Sequence, residues 1–438
     1  MDYISSKNIF FLIRDTLRLI DGRVMEHGSR TAYIVYKMLQ CKGGLEDYEM
    51  ADIAMLVTLH DIGVYKTDDP GDMLRYEGRD YMPHSIYGYL FLKYLSPMEK
   101  QSKILLYHHT DYNQLMRLER DEKIREYAAY LNIAEKMDIY HNALGSKFDY
   151  MMFHKYAGNK LSGEGLELFY QAVNKLEILR KLKDGTYREE LNELFENLIF
   201  TNEEKRKYMQ MLMNCIGFTS EAYAVCSHVC AYVSGELGKK YMLTDYEQEI
   251  LYYASLLHDI GMLKLPKDVI NAHRRIDEEE MKILRTHVGY TEELLRGRMK
   301  DDIVNLAISH HERGDGTGYP RHIRDAEQNK LQRIIQVADK VSALSVDWNF
   351  RAAKTKQELI DQISLKASKN KLNPQVTNIM VTFYDEIMGT AKIKLEEAMA
   401  MYRKLNDDFE RISAPVSIRK IGTPRRLKTV THVLIRIV

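Results

Sequence analysis

The chain has 438 residues, 45% hydrophobic and 29% charged, enough for two or three cores of ordinary domain size and unlike a disordered sequence over most of its length. Lysine plus arginine equals aspartate plus glutamate at 63 each, which excludes a global field able to hold a nucleic-acid polymer or an anionic membrane but leaves a small anionic substrate open. Four cysteines, Cys41, Cys215, Cys226 and Cys230, are too few and too unevenly placed for a disulfide framework, so a cytoplasmic location is expected.

The first apolar stretch, IFFLIRDTLRLI at 9–20, is interrupted by Arg14 and Asp15 and predicts an amphipathic helix rather than a membrane span. Nowhere does the chain reach the ~18 uninterrupted apolar residues that a spanning helix needs. With only eight prolines and apolar residues recurring at three- and four-residue spacing, the sequence predicts an all-α fold. Residues 1–150 hold His27, His60-Asp61, His84, His108-His109 and Glu135. Residues 151–215 are charged helical sequence without a histidine-aspartate pair, and are expected to complete the first domain and link it to the next. Start signals follow in the second half. Thr244 with Glu247 and Asp277 with Glu280 have capping-box spacing, and Asn373-Pro374 places a cap before a proline at the first helical position, while Gly238, Gly261 and Gly314 are candidate stops. After Glu410 the sequence is free of acidic residues and basic, and a loosely ordered tail is expected over 411–438.

Laying TLHDIGVYK (58–66) over LLHDIGMLK (256–264) exposes an internal repeat at an offset of 198 residues. The second copy then reads His228, His258-Asp259, His287, His310-His311 and Asp339. Successive gaps are 33, 24, 24 and 27 residues in the first copy and 30, 29, 23 and 29 in the second. An order kept that closely predicts two copies of one domain, with boundaries at 1–150 and 216–410.

A lone histidine on an apolar helical face is usually a satisfied core residue. Five histidines and two carboxylates at helix-length intervals can instead converge inside one bundle as metal ligands. Imidazole and carboxylate without thiolate suit iron, manganese, zinc, cobalt or nickel. Adjacent His258 and Asp259 project about 100° apart if still helical, so the imidazole could bind one ion while the carboxylate bridges to a second. Two ions so placed can hold a hydroxide, polarise a phosphoryl group and stabilise the leaving oxygen. That chemistry is phosphoester hydrolysis. Cys226 and Cys230 flank His228 at helical spacing and are read as core packing, not as ligands.

HDIG at 258–261, Leu265-Pro266, His287, HHERGDGTGYP at 310–320 and ADKVSAL at 338–344 stand in one order. In these motifs the sequence resembles the HD superfamily of metal-dependent phosphohydrolases, and the second copy resembles its HD-GYP branch, which cleaves cyclic di-GMP and related cyclic dinucleotides. The resemblance covers about 216–385 well, and 20–150 at the level of the ligands only. It implies two HD-type helical bundles in tandem. It implies that His228, His258, Asp259 and Asp339 bind a first ion, and that His287, His310 and His311 with Asp259 bind a second, iron or manganese being favoured. Ala224 stands where some members have the glutamate of a third ion. Asp315, Gly316, Gly318, Tyr319, Pro320 and Arg351 would shape the substrate pocket. In the first copy His27, His60, Asp61, His84, His108, His109 and Glu135 would form a second, degenerate metal site.

Several positions depart from the family pattern. Met262 stands where a phosphate-facing lysine follows HDIG, Ser342 replaces a second aspartate, and Trp348-Asn349 replace an arginine-proline pair. Both copies carry a lysine two positions further on, Lys66 and Lys264, and Lys264 beside Asp259 is a candidate catalytic group if its stem returns the ammonium to the substrate phosphate. The expectation is a bacterial cytoplasmic phosphodiesterase of cyclic di-GMP or cyclic GMP-AMP, able to form a homodimer. The alternatives are a mononucleotide phosphohydrolase and a lapsed sensor that binds metal and nucleotide.

Overall fold

The structure, a computed structural model, describes residues 3–67 and 82–418. Those residues are helical with no sheet: extended pairing is confined to isolated bridges such as Trp348 with Arg351. No described helix is long and apolar enough to cross a membrane.

The chain divides into two compact units that interleave in sequence. One holds 21–67, 82–208 and 401–418; the other holds 3–20 and 209–400. This division differs from the boundaries read from the repeat, because the Ser6–Ile20 helix packs with the second copy. Ile9, Phe10, Leu12, Ile13 and Leu17 form its buried face, and Asn8 donates to the Arg298 carbonyl at 3.0 Å. The basic tail expected from 411 is helical through Ile418, and 419–438 lies outside the described residues.

In the first unit the Gly22–Lys42 helix packs on Asp47–Thr58 and Glu122–Leu144. Asp21 and Asp121 cap two of these, accepting from Arg23 N and from Lys123 N and Ile124 N. In the second unit Glu221–Lys240 packs on Asp245–Leu257 and Lys330–Ser345. The expected capping boxes form at Thr244 with Glu247 and at Asp277 with Glu280, and Asn373 caps Val376 N ahead of Pro374.

The HDIG glycines serve close packing rather than helix termination. A Cβ on Gly261 would lie 2.1 Å from the His287 carbonyl oxygen, and one on Gly63 would lie 2.1 Å from that of His84. Only glycine lets the turn after each His-Asp pair rest on the helix that carries the next histidine. Of the other expected stops, Gly238 lies within its helix near the end and Gly314 in the loop beyond His311.

Candidate metal centres

In the second unit the helix Asp245–Leu257 ends one residue before His258, and a short 3-10 turn, Ile260–Lys264, follows Asp259. His258 Nδ1 meets the Ser255 carbonyl at 2.7 Å, His287 Nδ1 that of Leu284 at 2.6 Å, and His310 Nδ1 that of Ala307 at 2.6 Å. Each ring can thus donate from Nδ1 to the carbonyl three residues back, which aims Nε2 inward and, in the neutral imidazole, leaves its lone pair for a cation. Asp259 sits among these nitrogens: Oδ2 is 3.3 Å from His258 Nε2, and Oδ1 is 3.3 Å from His287 Nε2 and 3.6 Å from His310 Nε2. Asp339 lies 3.5 Å from His258 Nε2 and 3.7 Å from His311 Nδ1.

Two sets, His258-Asp259-His310 and His287-His310-His311, bring their ligand atoms within 4.8 Å of one another. His258 Nε2 and Asp259 Oδ1 are buried without a hydrogen-bond partner, a costly arrangement unless a cation completes it. Burial opposes ionisation of Asp259, but His258, His287 and His310 outweigh it and hold its carboxyl far below the usual range. Burial likewise opposes charge on His258, yet Asp259 and Asp339 raise it to about 10. Burial depresses His310 strongly and takes His311 to about 4. Neutral imidazoles around an ionised carboxylate are the form in which a divalent cation is bound, and the field that holds a proton on His258 is the field a cation would neutralise. The residues present fit a metal centre.

His228 stands apart from this cluster. It is buried, with Nε2 unpartnered, and burial takes it to about 4, but it joins neither ligand set and its ring lies along Tyr232, centroids 6.0 Å apart. The flanking cysteines are buried as expected, and Cys226 donates to Ser342 Oγ at 3.4 Å.

The first unit gathers all seven of its expected residues. Asp61 is 3.1 Å from His60 Nε2, 3.6 Å from His84 Nε2, 3.7 Å from His27 Nε2 and 3.9 Å from His108 Nε2. Glu135 is 3.3 Å from His109 Nδ1, and His84-His108-His109, His27-His60-Asp61 and His60-His108-Glu135 each form a compact ligand set. His60 repeats the anchoring of His258, through the Val57 carbonyl at 2.8 Å. His27 is instead held by Asp138, whose carboxylate also takes Arg30 at 2.7 Å. Asp138 was not singled out from the sequence; its signal is its place three residues after Glu135, where the second copy has Ser342.

The second centre opens into a cleft of about 740 Å³. Asp259, His310, His311 and Asp339 line it, and Arg275, Arg313, Lys340, Arg351, Lys366 and Lys371 add positive charge. Except for Arg351, these cations went unnoticed in the sequence, because isolated lysines and arginines carry no pattern. The glycine-rich loop buttresses the site. Asp315 accepts from Thr317 N and Oγ1 at 3.0 and 2.7 Å, Gly316 has φ of +77°, and a Cβ on Gly318 would lie 2.4 Å from Arg313 N. Tyr319, followed by a cis bond to Pro320, donates its N–H to the His311 carbonyl at 3.2 Å and sets its ring 4.8 Å from the His311 ring. Arg351 donates to the Ala343 carbonyl at 2.6 Å while lining the cleft. The structure does not bring Lys264 to the centre. Its ammonium lies 3.1 Å from Glu293 and 4.3 Å above the Tyr290 ring, because the 3-10 turn carries its stem outward, whereas Met262 faces the cleft.

A family model described as HD domain matches residues 194–376. The chain is 24% identical over 403 residues to 3'3'-cGAMP-specific phosphodiesterase 1 of Vibrio cholerae, covering 86% of this chain and 91% of that protein. It is 34% identical over 151 residues to a cyclic di-GMP phosphodiesterase response regulator of Xanthomonas campestris, covering 32% of this chain and 38% of the relative. Among solved structures, a cyclic GMP-AMP specific phosphodiesterase of V. cholerae, V-cGAP3, superposes with a TM-score of 0.55 at 16% identity, covering 86% of this chain and 96% of that one, which shows a shared fold. Residues 194–376, with the histidine-aspartate centre they build, thus match the HD domain.

Proposed function

We propose that this protein is a metal-dependent phosphodiesterase that linearises a cyclic dinucleotide, cyclic GMP-AMP or cyclic di-GMP, in the cleft of its second unit. The observation that carries this reading is the joining of one metal-ligand cluster to one cation-lined cleft, in a chain whose relatives are named for those two substrates. His258, Asp259, His287, His310, His311 and Asp339 would hold two divalent ions, iron or manganese, which when bound supply Lewis-acid activation of water and of the phosphoryl oxygen. Asp259, placed among three imidazoles, would help to hold both ions. Arg313, Lys340 and Lys366 draw the phosphates inward and offset charge that grows during hydrolysis, the task the absent lysine at 262 would have had. Tyr319 and the glycine loop keep His311 in place.

The first unit, with its compact ligand sets, is a second metal centre that regulates the cytoplasmic enzyme or stabilises its own bundle. A sensor that binds metal and nucleotide without turnover is the second reading, favoured by Met262 in the cleft and by His228 standing away from the cluster. The deciding experiment combines elemental analysis of the purified chain with turnover of cyclic GMP-AMP, cyclic di-GMP and mononucleotides under manganese or iron. Metal with hydrolysis of the cyclic substrates supports the enzyme. Metal and nucleotide binding without any product supports the sensor.

A further inference from the structure

Phe350 is 47% exposed and lines the same cleft as the candidate metal ligands. Its ring lies alongside the Trp348 indole, centroids 6.4 Å apart and planes 27° from parallel. The indole is pinned. Its N–H donates to the Ala343 carbonyl at 2.9 Å, the Tyr223 ring meets it edge-on at 4.8 Å, and paired backbone bonds between Trp348 and Arg351, 2.8 and 2.9 Å, close the turn that carries it. A fixed aromatic surface therefore shares one cavity with the ligand cluster, and Arg351 is held on the same carbonyl as the indole.

Charge alone would suit any small polyanion. Charge at one part of a cleft and a rigid aromatic surface at another matches a ligand that has both a phosphodiester and a planar π system, which is a nucleotide. We propose that Trp348 and Phe350 form a ledge on which one nucleobase of the substrate stacks while its phosphate lies toward Asp259 and Asp339. The assignment rests on the cyclic-dinucleotide reading above and adds to it the place of a base. Stacking is indifferent to which purine is presented, so the ledge sets affinity and register, and the choice between guanine and adenine falls to hydrogen-bonding groups elsewhere.

Trp348 is the chain's single tryptophan, so its emission reports on the ledge directly. The metal-loaded full chain is titrated with a phosphorothioate analogue of cyclic GMP-AMP that resists hydrolysis, with GMP and AMP, and with pyrophosphate, and turnover of cyclic GMP-AMP is measured in parallel. Saturable quenching by the three base-containing ligands and none by pyrophosphate is expected. Phe350→Ala should retain metal and melting temperature yet weaken binding by roughly five- to 150-fold, the range of one stacked base, with the loss in KM and with recovery in Phe350→Tyr. Quenching by the nucleotides without hydrolysis of any cyclic dinucleotide would support the ledge and overturn the substrate reading. Hydrolysis with no quenching, or with unchanged KM in Phe350→Ala, would overturn the ledge alone. Neither quenching nor hydrolysis would overturn both.

Discussion

His27 Nδ1 lies 2.7 Å from Asp138 Oδ2, and the matching positions of the second unit are His228 and Ser342. The carboxylate fixes the ring so that Nε2 comes within 3.7 Å of Asp61. Asp138 is itself compensated by Arg30, whose counterpart is Ala231. In the second unit Ser342 Oγ donates to the Asp339 carbonyl at 2.8 Å, nothing charged holds the first histidine, and His228 rests along Tyr232. The copy without this ion pair is also the one whose first histidine lies outside the compact groups.

Replacing Arg30 and Asp138 together with Ala and Ser, which reproduces the second copy without leaving a buried charge alone, should weaken metal binding in the first unit by roughly ten- to a hundredfold. Competition against a chromophoric chelator measures this, in an Asp259→Asn background that silences the other centre. Unaltered affinity would show that His27 needs no such orientation.

Asp259→Asn keeps the shape of the side chain but removes the charge between three imidazoles. Metal content of the second centre should fall, and turnover should drop by at least about a hundredfold. Elemental analysis and product chromatography read the two effects separately, and full activity in this variant would sink the dinuclear mechanism.

Lys264→Met, by contrast, should leave turnover as it is, because the ammonium belongs to Glu293 and Tyr290 on the surface. The exposed pair is worth at most about 1 kcal/mol of stability. A lowered turnover number with intact metal would return this lysine to the substrate.

Glu190 provides a pH test remote from metal. Burial works against its ionisation, but Lys181 at 2.6 Å and Lys37 at 2.8 Å prevail and hold its carboxyl down to about 2. Because the folded value lies below the unfolded one of roughly 4.3, its contribution is fully present above that pH and fades as the pH falls toward 2. Thermal melting of the wild type should therefore lose more between pH 5 and 3 than melting of Glu190→Gln. That variant also starts lower at pH 7, by about 1–3 kcal/mol, because buried Lys37 loses its carboxylate and keeps only Gln40 as a hydrogen-bond acceptor. Parallel curves would rule the linkage out.

The helical class, the repeat and the convergence of most candidate ligands were legible because each rests on spacing: three- and four-residue periodicity for the bundles, and helix-length gaps for the histidines. The cleft was not legible, since Arg275, Lys340 and Lys366 come from separate elements and meet only in three dimensions. Nor was the direction of Lys264, which depends on the short turn that replaces a helix after Asp259. The Ser6–Ile20 helix was recognised as amphipathic, but sequence proximity assigned it to the first copy while its apolar face is buried in the second unit. His228 shows the limit most sharply: its place in the order of candidate ligands is kept, whereas the carboxylate that meets its counterpart His27 lies over a hundred residues away in sequence, at a position where this copy has Ser342.

The glycine contacts bear on how such a centre tolerates change. Because the turn at Gly63 or Gly261 touches the backbone of the next histidine directly, the length of chain between them is no longer what fixes their separation. The two copies exploit that freedom, with 24 residues from His60 to His84 and 29 from His258 to His287. In the second copy the segment between them supplies Val269, Ile270, Arg275 and Ile276 to the cleft wall. Such a contact lets that segment be lengthened, shortened or recomposed while the candidate ligands stay in register.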